Sequence, residues 1–144
     1  MVNCTITNNS YPIAGGLGAG LIVLTGAFTV QNTILADNQI NSVDDNCAVV
    51  SPSAIVSAGN NLTDTAYADC GFSAYSNDIE STEPNLGALQ DNGGPTHTLL
   101  PNSGVPSAAI DAGKSSGCPT GDQRGQTRSD GSCDIGAVEI QSGE

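Results

Sequence analysis

Arg124, in the run Asp122-Gln123-Arg124-Gly125, is one of three cations set against fifteen carboxylates. A guanidinium can take a carboxylate in a two-bond fork. Arg124 is therefore expected to anchor a structural ion-pair network with Asp111, Asp134 and Glu139. A catalytic arginine working on an acidic polysaccharide would need a basic groove and calcium-holding carboxylates, and a formal net charge of -12 supplies no such groove. Asp37, Asp44, Asp45 and Asp64 invite a glycosidase reading, which requires two carboxylates facing one another across a sugar. Asp37 and Asp64 miss the 28-residue register described below by one position, so they are expected in separate columns, as solvated loop residues. His97 is the single histidine. A serine triad would rest on it alone, and no Gly-x-Ser-x-Gly elbow is present, so a surface histidine is expected. Calcium is the most credible ion for loops this rich in Asp and Asn, but neither an EF-hand nor a Gly-Gly-x-Gly-x-Asp pattern occurs. No metal ligands are assigned, and no cofactor is expected.

The cysteines carry a second kind of chemistry. Five of them in a chain rich in Gly, Asn and Thr point to an oxidising compartment. The expected pairs are Cys47 with Cys70 and Cys118 with Cys133, with Cys4 free. A loop of 15 residues closed in this way stabilises by roughly 3 kcal/mol in the chain-entropy model. Buried free thiols are the plainer alternative. Zinc is the weaker one, because there is no Cys-x-x-Cys and only one histidine.

Charge excludes some partners. Lys114, Arg124 and Arg128 cannot make the basic face that phosphate contact requires, so neither nucleic acid nor an anionic membrane is an expected partner. The apolar run Ala19 to Leu24 is too short to span a bilayer. Met1-Val2-Asn3-Cys4 does not open a signal peptide, and the sequence reads as a fragment trimmed at both ends. Three sites fit the glycosylation sequon, at Asn3, Asn8 and Asn61, a weak signal in an Asn-rich chain.

What would position these groups is a set of short strands. Aromatic content is 3% and Trp is absent, so the core must be built from Val, Ile, Leu, Ala and Cys. Val2, Cys4 and Ile6 alternate with polar residues, as do Val30, Asn32 and Ile34, and then Ala58, Asn60 and Leu62; the sets are displaced by 28 positions each. Period-2 alternation indicates strands, and a constant displacement indicates that like residues stack, as in a β-solenoid. The expected stacks are Val2/Val30/Ala58, Cys4/Asn32/Asn60 and Ile6/Ile34/Leu62, with an amide ladder of Asn32 over Asn60. Further strands are expected at Leu21 to Leu24, Cys47 to Pro52 and Ala54 to Ser57. Asn41 to Asn46 reads as polar loop. Thr65 to Glu83 reads as irregular, anchored by Tyr67, Phe72, Tyr75 and Ile79. Short strands are also expected at Ser107 to Gly113 and at Asp134 to Glu139.

The C-terminal third holds the most specific signal. DNGGPTHTLLPNSGVPSAAIDAG from Asp91, then a Cys118–Cys133 loop containing GDQRG, then DIGAVE, resembles in order the C-terminal signature of choice-of-anchor Q domain proteins. The resemblance covers roughly the last 60 residues. The segment Asn102 to Ser107 is longer than the family's usual Leu-Pro-Gly-Ser-Pro-Ala-Ile-Asp run. Membership would imply a bacterial surface or secreted protein related to right-handed parallel β-helices; it would not imply an activity.

Together these readings predict an all-β, right-handed parallel β-helix of about three coils. Residues 1–83 would form the coils with their loops, and residues 84–144 a disulfide-stapled cap of the same domain. The N-terminal end, with Val2, Cys4 and Ile6, is expected to be a bare edge. That edge would meet the rest of a longer β-helix or a like subunit, in the latter case building filaments head to tail. The expected role is a non-enzymatic, extracellular or cell-surface structural or adhesive module, with surface glycans as further candidate partners. A carbohydrate-binding or polysaccharide-degrading protein is the alternative.

Overall fold

A computed structural model describes residues 1–13, 15–66, 70–73, 76–101, 104–128, 131–141 and 143–144. The chain is all-β. Its strands are β1 (Thr5–Thr7), β2 (Ser10–Tyr11), β3 (Leu21–Val23), β4 (Ala27–Gln31), β5 (Ile34–Ala36), β6 (Gln39–Ile40), β7 (Val43–Asp44), β8 (Cys47–Val49), β9 (Ala54–Gly59) and β10 (Leu62–Thr63). They form four small sheets, none wider than three strands: β1-β5-β10, β2-β6-β7, β3-β8 and β4-β9. Every pairing except β6 with β7 is parallel. The chain thus passes the same four sheets in the same order twice, and enters the first a third time. Asn41 to Asn46 is not a plain loop: it carries the β6–β7 hairpin and returns Asn46 to a fully buried position.

Asparagine and aspartate hold left-handed positions between these strands. Asn3, Asn32, Asn60 and Asn77 all have left-handed backbones, with φ of 47°, 48°, 56° and 56°, and so do Asn8 and Asp37 at 58° and 56°. Asn and Asp tolerate this region better than other residues bearing a Cβ. Each left-handed residue breaks the strand ladder and leaves the following amide facing the next pass without a carbonyl. A side chain of the next pass fills the gap. Cys4 N donates to Thr33 Oγ1 (3.4 Å), Thr33 N to Asn61 Oδ1 (3.0 Å) and Asn61 N to Asp78 Oδ1 (2.9 Å). At the other corner Asn9 N donates to Asn38 Oδ1 and Asn38 N to Asn46 Oδ1, both at 3.2 Å. Thr33, Asn38, Asn46 and Asn61 are fully buried. A buried amide without a partner would cost as much as a lost hydrogen bond, so these polar columns are a requirement of the corners.

The register departs from the sequence pattern in two places: Val30 pairs with Ser57, a displacement of 27, and not with Ala58, and β1 is shifted against β5. Ile34 pairs with Leu62, a displacement of 28, but Thr5 pairs with Ile34 and Ile6 with Leu35, a displacement of 29. A one-residue slip moves every side chain of a strand to the opposite face. Cys4 therefore stacks on Thr33 and Ile6 on Leu35. The expected Cys4/Asn32/Asn60 column is replaced by Asn3/Asn32/Asn60, and Val2 bridges to Gln31.

Two apolar clusters result. Val23, Val30, Leu35, Cys47, Ile55, Cys70 and Phe72 fill the space between the sheets. Ile34, Ala36 and Leu62 point the other way from the same strands and are covered by Ala109 and Ile135. Ile34, Leu35, Leu62 and Ile135 are at most 1% exposed, each worth roughly 1.5–3 kcal/mol of transfer free energy. The covering residues show what the C-terminal third does. It lies along the side of sheet β1-β5-β10 and does not close its end. The asparagine corners hold it there: Asn60 Nδ2 donates to Ala112 O (2.8 Å), Asn32 Nδ2 to Lys114 O (2.9 Å) and Asn3 Nδ2 to Asp134 O (2.9 Å). Gly136 donates its N–H to Asn32 O, and a Cβ there would stand 2.8 Å from Thr5 Oγ1 and 2.9 Å from Ile34 Cδ1, so this contact admits only glycine. Ser107 to Gly113 forms a turn about Ala109, and Asp134 to Glu139 forms bends; neither is a strand. Both are too rich in turn geometry to pair, and their amides bond to Asn32 and to each other's carbonyls.

The end of the stack is closed by an earlier segment. Asn60 N donates to Ser76 O, Ile79 N to Asn61 O and Thr63 N to Ile79 O, so residues 76–79 occupy the outer side of β10. Cys70 and Phe72 are buried beneath the second and third passes, and Cys70 is bonded to Cys47. Cys118 is bonded to Cys133, and Cys4 is free. The expected anchors Tyr67 and Tyr75 lie outside the described residues.

Candidate functional site

The N-terminal edge carries backbone groups that no described strand pairs. Gln31 N donates to Met1 O and Asn3 N to Gln31 O, so Val2 turns its own N–H and C=O away from the stack. Ile34 N donates to Cys4 O, so Thr5 does the same, and the alternation repeats at Thr7. No described strand pairs with the outer side of β1, β2 or β3. Of the residues expected at this edge, Val2 is 40% exposed, while Cys4 and Ile6 are half-buried. Ile6, Met1 and Leu21 pack on the inner cluster from its open side.

The ion-pair network exists with different partners. Arg124 Nε donates to Asp122 Oδ2 at 3.0 Å, its two terminal nitrogens fork onto the Glu144 carboxylate, and Nη2 also reaches Glu139 O. Arg128, not Arg124, pairs with the Glu139 carboxylate, and its Nη2 donates to Gly136 O (2.9 Å). Asp111 is exposed and contributes only its backbone N–H, donated to Asp134 Oδ1 (2.7 Å). The other Asp134 oxygen accepts from Ile140 N. The local cause is Asp122. Its Oδ1 accepts from Arg124 N and Gln126 N, a side-chain turn that folds Arg124 back over its own loop and leaves Glu139 to Arg128. Gly94 completes the packing: a Cβ there would meet Arg124 Cα at 2.6 Å, which ties the Asn-Gly-Gly-Pro turn to the Asp-Gln-Arg-Gly loop.

The charges follow from this geometry. Burial works to raise Asp122, but the Glu139 amide and the Arg124 guanidinium outweigh it and hold the carboxyl below its usual range. The Arg124 fork holds Glu144 down, and Glu144 in turn pushes Arg124 up. Burial raises Asp134 and Glu139 above the usual range despite their hydrogen bonds. Each of these carboxylates accepts from a backbone amide or a guanidinium. The group is a clamp on the C-terminal segment, and Asp122 and Arg128 also line a surface cleft beside Thr5.

Asp37 and Asp64 are neighbours after all. Asp37 N donates to Asp64 Oδ2 at 2.8 Å, and Asn46 Nδ2 reaches Asp64 Oδ1. The left-handed turn at Asp37 brings its amide over the next pass, a diagonal contact that in-line register counting omits. Both oxygens of Asp64 hold chain in place, so the pair does not form an open two-carboxylate site of the kind a sugar would need. Burial and the nearby Asp64 and Asp44 raise Asp37; burial and then Asp37, Asp64 and Asp44 raise Glu83. A raised carboxyl binds more protons in the folded state, so its contribution is present below the ordinary carboxylate value and fades as pH rises through the folded value. Asp37→Asn, which keeps the left-handed preference, is therefore expected to raise Tm at pH 8 by about 2–4 °C, discounted for solvent screening. The gain should shrink at pH 4 and in high salt, as thermal melts across pH would show. A loss at pH 8 would mean that the carboxylate is needed.

His97 is exposed. Asn3 and Asn61 are buried, which removes two of the three sequons from reach; Asn8 remains exposed. Among the described residues, no group of three or more His, Cys, Asp or Glu side chains stands where it could hold a metal ion. Of the surface clefts lined by described residues, two adjoin the first pass. One, of about 460 Å³, is lined by Tyr11, Leu17, Ile22 and Ile40 with Asn9 and Ser10. The other, of about 390 Å³, lies between Asn3-Cys4-Thr5 and the 119–123 loop, with Arg128 in its wall.

Sequence reasoning missed Asp122, Arg128 and Glu144 as charge partners, and Asn3 and Asp78 as members of the corner columns. Asp-x-Arg within a glycine-bounded loop was the available signal for Asp122. Asp78 follows an Asn, as Asn61 and Thr33 do, and that repeated pair was the signal for the column. Among the described residues no helix is long and apolar enough to cross a membrane. The chain matches no family model, no curated protein and no solved structure.

Proposed function

We propose that this chain is the end module of a right-handed parallel β-helix with a structural or adhesive role outside the cell, and that it is not an enzyme. The observation that carries the reading is the pair of corner columns. Thr33, Asn61 and Asp78 on one side, and Asn38 on the other, accept backbone N–H groups from the preceding pass, and Asn46 accepts the Asn38 N–H across the β6–β7 hairpin. Such columns serve a chain that winds repeatedly over itself. The parallel pairings at displacements of 26 to 29 residues support the same path. The C-terminal likeness to choice-of-anchor Q proteins supplies the expected handedness and the bacterial surface setting, and two disulfides agree with an oxidising environment. The mechanism is shape: a rigid body closed at one end by residues 70–73 and 76–82, covered along one side by the C-terminal third, and bare at the other end.

Amide hydrogen exchange followed residue by residue tests the winding. Thr33, Asn38 and Asn61 amides should be among the most protected in the chain, exchanging only with global unfolding. Rapid exchange at all three would overturn the β-helix reading. Turnover of any member of a polysaccharide panel would overturn the non-enzymatic one. Glycan binding without turnover has one favoured place, the Tyr11 cleft, where an exposed ring stands beside Asn9 and Ser10.

A further inference from the structure

The bare edge has a specific chemistry. In a chain of net charge -12, residues 1–36 contain no Asp, Glu, Lys, Arg or His. The first pass is therefore made of uncharged side chains alone. Exposed strand edges are normally guarded by charges, prolines or bulges against pairing with other chains. Here β1 and β3 have no such guard, and Val2, Thr5 and Thr7 turn their N–H and C=O groups outward; two of these carbonyls accept side chains of the same edge, Val2 O from Cys4 Sγ (3.3 Å) and Thr7 O from the exposed Asn9 Nδ2 (3.4 Å). An apolar rim, Met1, Ile6 and Leu21, lies behind them. The opposite end cannot receive this edge, because residues 76–79 occupy the outer side of β10 and Cys70 and Phe72 fill the space below. Among the described residues, the head-to-tail filament expected from the sequence finds no free edge of β10 to pair with.

We infer that this chain of 144 residues pairs the edge with the same edge of a second copy, joined head to head about a two-fold axis at Ile6. The inference rests on the reading of the chain as stacked passes. Thr5-Ile6-Thr7 reads identically in both directions, which a self-complementary, isologous contact needs. Two such strands running antiparallel would place Thr5 opposite Thr7 of the other copy as a hydrogen-bonded pair. They would place Ile6 opposite Ile6 as a non-hydrogen-bonded pair, with Cα atoms about 4.5 Å apart. Each copy would complete the other's ladder and cover its apolar rim. With no charged side chain on the first pass, and the Met1 ammonium as its one charge, two strongly acidic chains meet little repulsion at this face.

Sedimentation equilibrium of the full chain over a wide concentration range tests the dimer. A monomer–dimer equilibrium without higher species is expected. Thr7→Pro, which removes an N–H unused within the chain, should weaken it about tenfold or more. In a Cys4→Ser background, Ile6→Cys should yield a disulfide-linked dimer under mild oxidation, because Cα atoms at that spacing fall within disulfide reach. A strict monomer at all concentrations would overturn the inference, as would open-ended fibres or an unchanged equilibrium in Thr7→Pro. Hydrogen exchange on the same samples separates the two failures: a monomer with protected Thr33 and Asn61 amides loses the dimer alone, whereas one without protection loses the stacked passes as well.

Discussion

Asn61→Leu is expected to destabilise the protein by about 3–5 kcal/mol, read from urea unfolding at neutral pH. The side chain is fully buried. Its Oδ1 accepts the Thr33 amide, and its Nδ2 donates to Val30 O (3.2 Å), Ser57 Oγ (3.0 Å) and Asp78 Oδ1 (3.0 Å). Leucine matches the volume but offers none of these bonds. It strands a buried N–H, a carbonyl and one donor to a carboxylate, each worth roughly 1–3 kcal/mol when left unpaired. Against a typical total of about 5–15 kcal/mol, this single change approaches the limit of folding. The contrast is Asn9→Ala. Asn9 opens the other column but is exposed, and water replaces its amide, so roughly 0.5 kcal/mol or less is expected. Equal losses in the two variants would show that the columns carry no weight, since burial is what distinguishes them.

The same columns explain how much of the fold could be read from the chain. Strands at Leu21, Cys47 and Ala54 follow from runs of β-branched and small apolar residues, and they stand where those runs are. The displacement between passes was legible only to within a residue. Corners absorb insertions at left-handed residues, so one pass can be longer than the next without any change in strand composition. The signal that fixes the count is not the apolar alternation but the Asn-plus-polar pair at each corner: Asn3-Cys4, Asn32-Thr33, Asn60-Asn61 and Asn77-Asp78. Alternation placed Asn32 and Asn60 in the stack but offered Cys4 as their neighbour, because a cysteine suits an apolar column better than Asn3 does.

The role of the C-terminal third was hidden for a different reason. Ile34, Ala36 and Leu62 look like ordinary inward residues, yet they face outward and need a cover. Leu35 alternates with Ile34 and Ala36 and is buried too, which makes β5 a strand with two apolar faces. That pattern marks a sheet covered on both sides. The run Ile34-Leu35-Ala36 held this information, although nothing in it names Ala109 and Ile135 as the partners. Likewise the Arg124 loop advertised an ion-pair centre, but short-range turn chemistry at Asp122 decided which arginine met which carboxylate.

Arg128→Met should be costly in a way that depends on pH. The Arg128 and Glu139 side chains are 2% and 1% exposed, and removing one member of a buried pair typically destabilises by about 3–5 kcal/mol. Glu139 would be left beside Asp134 in a buried site that already raises its carboxyl. Without the guanidinium that carboxyl rises further, so the folded variant takes up a proton that the unfolded chain does not hold. Stability then falls with rising pH, from the ordinary glutamate value up to the new folded value. The deficit relative to the parent protein should be near its full size at pH 8 and much smaller at pH 5. The parent has an opposing trend further down. Asp122 and Glu144 are held low, so their contribution is present above the ordinary carboxylate range and is lost as pH falls through the folded values. Pairing Arg128→Met with Glu139→Gln removes the stranded charge, and the double variant should recover most of the loss at pH 8 and lose the part of its pH dependence that comes from Glu139, leaving that of Asp134, which burial already raises. A double variant as unstable as Arg128→Met alone would assign the cost to lost packing and to the Arg128 bond to Gly136 O. The clamp would then work by shape and hydrogen bonding, with its charges incidental.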